Sequence, residues 1–195
     1  MNGVIELNWN RDFVYPGMIK LEVPADGSCF FHSIAMSVLP SYQLGSVNNF
    51  NVFDFINNFR KELGHRLKHN YDKLSRGSLK EMSQNDDSLS LSNMVSDLAN
   101  GGAVDHRYNE LISDTLNIDI YILDDNTQDV IYLLDPQVLH KKRTSIVLLY
   151  SSWGGNIGHY ELIGIRNVDI IRTNFRWDDP FILKIRKRIE SKMNK

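Results

Sequence analysis

Between Ser145 and Tyr150 the chain runs Ser-Ile-Val-Leu-Leu-Tyr, with almost no polar break. Apolar residues without polar alternation over this length mark a strand covered on both faces. The rest of the chain must therefore supply the layers that bury it. Helical stripes provide them. Val52, Ile56, Phe59, Leu63 and Leu67 fall at three- and four-residue spacing, and Tyr108, Leu111, Ile112 and Leu116 form a second stripe. A third helix is expected from Cys29 to about Leu39, ending at Pro40, and a last one over roughly Pro180 to Met193.

From Ile118 the period changes. Ile118 to Leu123 reads as a strand, Asp124-Asp125-Asn126-Thr127 as a turn, and Val130 to Leu134 as the returning strand of a hairpin. Gly158 to Arg166 is a further strand, and Ile19 to Val23 a short early one stopped by Pro24. The polar stretch from Ser75 to Ser92 is expected to be an exposed loop broken by a short helix. Helices first, strands later and a closing helix imply an α+β domain.

At 195 residues the chain suits one domain, with a core over about residues 19–166 and the closing helix at about 180–193. Its 42% hydrophobic and 24% charged content is ordinary for a globular protein, and a formal charge of −2 gives no general attraction to nucleic acid or anionic membrane. Lys184, Arg186, Lys187, Arg188, Lys192 and Lys195 read as the solvated face of the last helix. A single cysteine rules out an intramolecular disulfide and suits a reducing compartment. No apolar run is long enough to span a bilayer, and the first residues lack a secretory signal or a myristoylation glycine. A cytoplasmic monomer with neither membrane nor nucleic acid as partner is expected.

Cys29 is that cysteine. It follows a tight Asp26-Gly27-Ser28 turn at the expected start of a helix. Free N–H groups and the positive end of the helix dipole there favour a thiolate and can hold an oxyanion. A nucleophilic thiol needs a base, and the chain has six histidines. His32 lies one helical turn beyond Cys29, alongside the sulfur rather than across a cleft, and reads as structural. His65 and His69, four apart on a helix, lack the glutamate-containing zinc-protease pattern. His106 and His140 carry no pattern. His159 opens an apolar strand after a glycine-rich loop, and Glu161, two residues on, shares its face. Glu161 can thus orient the ring, as the third member of a catalytic triad does.

Asp26-Gly27-Ser28-Cys29-Phe30-Phe31-His32 resembles the cysteine box of the ovarian tumour (OTU) family of cysteine proteases, and Ile157-Gly158-His159-Tyr160-Glu161 resembles its histidine box. Between them, Gly101-Gly102, a helix, and the segment Leu116 to Leu123 resemble the family's middle block. Three blocks in family order cover most of residues 20–165. Asn100 stands where a Trp usually precedes the Gly-Gly pair, and Glu161 where Asn or Asp is commoner. Trp177-Asp178-Asp179-Pro180-Phe181-Ile182 resembles viral members, which would act inside a host cell.

The resemblance implies a papain-like fold, with a small mixed sheet packed between helical layers. It also implies thiol-dependent hydrolysis of the isopeptide bond at the C-terminus of ubiquitin, polyubiquitin or a ubiquitin-like modifier. Cys29 would be nucleophile and His159 base, with no metal or organic cofactor. The turn around Asp26, Gly27, Ser28 and Cys29 would hold the oxyanion. Trp153, Gly154, Gly155 and Tyr160 would wall a narrow cleft, although Trp153 suits a core equally well. Glu161 and Asp26 both qualify as third member. The expectation is that Glu161 orients His159 and Asp26 shapes the turn. A ubiquitin-binding module with a decayed site is the nearest alternative. The papain box Cys-Gly-Ser-Cys-Trp is absent.

Overall fold

The apolar run at Ser145–Tyr150 lies inside strand β5 (Thr144–Ser152), and Ile146, Val147, Leu148 and Leu149 are all fully buried. In this computed structural model, which describes residues 3–39, 42, 51–74, 90–102, 104, 108–131, 141–152 and 158–193, both faces of β5 are covered. Ile146 and Leu148 join one core with Phe30, Phe31 and Ile34 of α1 (Cys29–Val38), Ile56, Leu63 and Leu67 of α2 (Val52–Leu74), Met94 and Leu98 of α3 (Leu91–Ala99), and Leu111 and Ile112 of α4 (Asn109–Leu116). Val147 and Leu149 face a second core. It holds Trp9, Phe13 and Phe181, Ile182, Ile185 and Ile189 of the closing helix α5 (Pro180–Met193). The strand lacks alternation because each of its faces meets its own helical layer.

The remaining strands are β1 (Val4–Glu6), β2 (Met18–Leu21), β3 (Ile118–Asp124), β4 (Asp129–Val130), β6 (Gly158–Asn167) and β7 (Ile170–Arg172). The described strands form one mixed sheet in the order β1-β2-β6-β5-β3-β4, with β7 also paired to β6. β3 and β5 run parallel, and the other pairs are antiparallel. The α+β architecture, with a mixed sheet between helical layers, is the one expected.

Most differences are at boundaries. The early strand is Met18–Leu21 rather than Ile19 to Val23, and α1 ends at Val38 because Leu39, before Pro40, is extended. The hairpin's return is only two residues within the described chain, Leu123 opposite Val130 and Asp124 opposite Asp129; residues 132–140 lie outside it. α3 was not expected. It starts where Ser90 Oγ accepts the N–H of Asn93 and buries Met94 and Leu98. Residues 75–89 of the expected loop lie outside the described residues. β1 and β7, three exposed residues each, carry no periodic signal. No described helix is long and apolar enough to cross a membrane.

Candidate active site

The segment after β2 turns sharply because Gly27 takes φ +83°, in the left-handed region that disfavours other residues. Asp26 Oδ1 accepts the N–H of Ser28 at 2.9 Å and closes the turn. Ser28 O then accepts the N–H groups of Phe31 (2.9 Å) and His32 (3.0 Å), which begins α1. Cys29 is therefore the first helical residue, with 8% of its surface exposed.

β6 brings the second half of the site. His159 is its second residue, opposite Ser151 of β5, and is 6% exposed. The neighbouring Tyr160 N–H donates to Cys29 Sγ at 3.4 Å. Two further contacts clamp α1 to this strand. Ser33 Oγ donates to Cys29 O (2.9 Å) and Tyr160 O (3.3 Å), and the rings of Phe30 and Tyr160 meet edge-on with centroids 5.1 Å apart. A Cβ at Gly158 would lie 2.3 Å from the Tyr150 ring, which itself packs 5.2 Å from Tyr160. Glycine beside the histidine thus lets the strand pass close under Tyr150.

The acids have separate partners. Asp26 Oδ2 meets His32 Nε2 at 3.0 Å, and His32 Nδ1 meets Tyr42 Oη at 2.8 Å. His32 is wholly buried and is part of the turn's support. Glu161 is 4% exposed, and its Oε2 takes the Lys20 ammonium of β2 at 2.7 Å. Burial opposes the Asp26 charge, but the His32 ring and the Ser28 N–H outweigh it and hold the carboxyl below its ordinary value.

Burial also pushes the His159 imidazole below its usual value, against the pull of Glu161; Lys20 lowers it further, while Asp26 and Glu22 raise it. The shift favours the neutral imidazole. For Cys29 the expected thiolate preference is corrected. Burial raises the thiol, more than the N–H groups of Tyr160 and Phe30 lower it, and Asp26 adds repulsion. The helix start alone does not decide the protonation of a sulfur this enclosed.

Two further residues support the site. Arg60 of α2 is 1% exposed. Its Nη1 donates to Ser28 Oγ (2.8 Å), Nη2 to Asp97 O (2.7 Å) and Gly102 O (2.5 Å), and Nε to Leu98 O (3.3 Å), while its guanidinium lies 4.7 Å from the Phe31 ring centroid. It joins the Asp26–Cys29 turn to the Gly101-Gly102 segment. A signal existed: Arg60 falls between Ile56 and Leu63 at helical spacing, on the stripe that faces inward. Lys20 carried no such signal, since its role depends on which strand lies beside it.

Among the other expected site residues, Tyr160 has its ring in the first core, 3% exposed, and reaches the sulfur through its backbone. Trp153, Gly154 and Gly155 lie outside the described residues, as do His106 and His140. His65 and His69 lie exposed on α2 with ring centroids 4.2 Å apart.

The fold matches that of an ovarian tumour (OTU) domain solved in complex with ubiquitin, with a TM-score of 0.53 at 16% identity over 89% of this chain and 83% of that one. The viral OTU domain protease of Dera Ghazi Khan virus aligns more loosely, with a TM-score of 0.47 at 15% identity over 77% of this chain and 82% of that one. No protein-family model matches the sequence, and no curated protein does.

Proposed function

We propose that this protein is a cysteine-dependent deubiquitinase of the OTU type, which hydrolyses the isopeptide bond at the C-terminal glycine of ubiquitin or of a ubiquitin-like modifier. The observation that carries this reading is the hydrogen bond from Tyr160 N–H to Cys29 Sγ. It sets the strand that bears His159 against the lone thiol, on a fold shared with an OTU domain that binds ubiquitin.

His159 removes the proton from Cys29 as the sulfur attacks the carbonyl carbon of the terminal glycine. N–H groups at the start of α1 stabilise the oxyanion. That of Ser28 is already held by Asp26, which leaves Cys29's own N–H as the nearest donor of the helix start. The C–N bond breaks, and the lysine amine leaves with the proton from His159. Water, deprotonated by His159, then attacks the thioester; the glycine carboxylate is released and the thiol is restored. Glu161 orients the base, and Asp26 shapes the turn.

Hydrolysis of ubiquitin carrying a C-terminal fluorogenic amide, by the wild type and by Cys29→Ala, tests this. Turnover by the wild type alone is expected. Equal turnover by Cys29→Ala overturns the thiol mechanism. Burial of the thiol favours a second reading, a ubiquitin-binding module with little catalysis, and binding without turnover by the wild type would select it.

A further inference from the structure

We propose that Lys20 is a positioning residue for His159: its ammonium fixes the Glu161 carboxylate and cancels that charge beside the imidazole. The inference rests on the reading of His159 as base.

Strand register places the three groups together. Lys20 lies opposite Ile163 and Leu21 opposite Leu162 in the β2–β6 pair. Glu161 is two residues before Ile163, so Lys20 reaches it across the diagonal, on the same face of the sheet. His159 is two residues further back on that face. The resulting ion pair is 2.7 Å long, with side chains 20% and 6% exposed, so Glu161 is a nearly buried carboxylate paired with a cation from another strand.

The chemistry gives that cation a role. An uncompensated carboxylate beside a buried imidazole stabilises the imidazolium, and an imidazolium cannot accept the proton of Cys29. A glutamate also has one more rotatable bond than an aspartate, so its carboxylate needs an anchor to hold one position. The ammonium removes both problems, because it balances the charge and anchors the longer side chain. Lys20 opposes the negative groups that act on His159. Asp26 and Glu22 add negative charge, the opposing β5 residue is Ser151, and the N–H of the next residue, Tyr160, meets the Cys29 thiol of α1. Lys20 is a cation that acts on His159 against the pull of these carboxylates.

The test is the pH titration of the His159 ring by NMR, with its resonance assigned by its loss in His159→Gln. It is paired with the pH dependence of Cys29 alkylation by iodoacetamide. Neither readout needs ubiquitin, so a failed deubiquitinase reading and a failed role for Lys20 are separable. Lys20→Met should raise the His159 midpoint by roughly one pH unit and move the acid limb of alkylation the same way. Glu161→Gln should lower the midpoint, Lys20→Arg should stay near wild type, and Lys20→Met/Glu161→Gln should return most of the way. A midpoint unmoved by Lys20→Met, or a double variant no closer to wild type than Lys20→Met, overturns the proposal. If Lys20→Met does not fold, an unchanged midpoint in Glu161→Gln overturns it equally.

Discussion

Tyr160 donates its backbone N–H to the sulfur of Cys29 at 3.4 Å, although the two residues are 131 positions apart in the chain. The bond stabilises negative charge on the sulfur, yet burial wins and the thiol is raised above its ordinary value. Burial therefore favours the protonated thiol at Cys29.

Alkylation of Cys29 should accordingly be slow. Iodoacetamide at pH 7 should add once per chain, at a lower rate than with a free thiol of ordinary pKa, because little thiolate is present and 8% of the residue is exposed. Intact-mass kinetics measures this. A rate above that of the free thiol would mean that burial has been outweighed.

His159 and His32 should separate cleanly. His159→Ala should lower turnover by about a thousandfold, roughly 4 kcal/mol, with little change in thermal midpoint. His32→Ala removes a wholly buried ring that bridges Asp26 and Tyr42, so it should lower the midpoint first. Parallel calorimetry and steady-state kinetics on the two variants decide it. Greater catalytic loss in a folded His32→Ala would assign the base wrongly.

Asp26 links the turn to acid stability. Its folded carboxyl titrates below the ordinary 3.8 of an unfolded chain. The stabilisation is thus present above that value and lost as pH falls through the lower folded one. Urea unfolding from pH 6 down to pH 2 should show Asp26→Asn less stable than wild type at pH 6, with the gap closing toward pH 2. A gap that widens on acidification contradicts this sign.

Arg60→Met should be among the most damaging changes outside the reacting groups. It strands Ser28 Oγ in a buried setting and the carbonyls of Asp97 and Gly102 in a half-buried one. A loss on the order of 3 kcal/mol follows, or roughly 6–12 °C in thermal midpoint for a domain this size. Arg60→Lys should recover little, because one ammonium cannot span acceptors arranged for a planar fork. Differential scanning calorimetry reads both.

Much of this site can be read from local pattern. Cys29 after a glycine turn, His159 at the head of an apolar strand and the stripe of α2 each declare themselves within a few residues, because turn chemistry and periodicity are local properties. What stays hidden is relational. Lys20 gains its meaning from the strand that lies beside it, and Tyr42 from the ring it meets across ten residues. The raised thiol of Cys29 follows chiefly from its burial in the folded protein, which the cysteine box alone does not encode. The edge strands β1 and β7 are held by their neighbours rather than by any alternation of their own.

The clamp between α1 and β6 also bears on how activity is acquired. The helix that carries Cys29 precedes the strand that carries His159 by more than a hundred residues, with most of both cores between them. Contacts this distant in sequence close late and slowly. A chain refolding from denaturant should therefore regain helical signal before the hydrolysis proposed for this site. The onset of turnover then works as a clock for the last docking event, and stays silent in partly folded forms that already look structured.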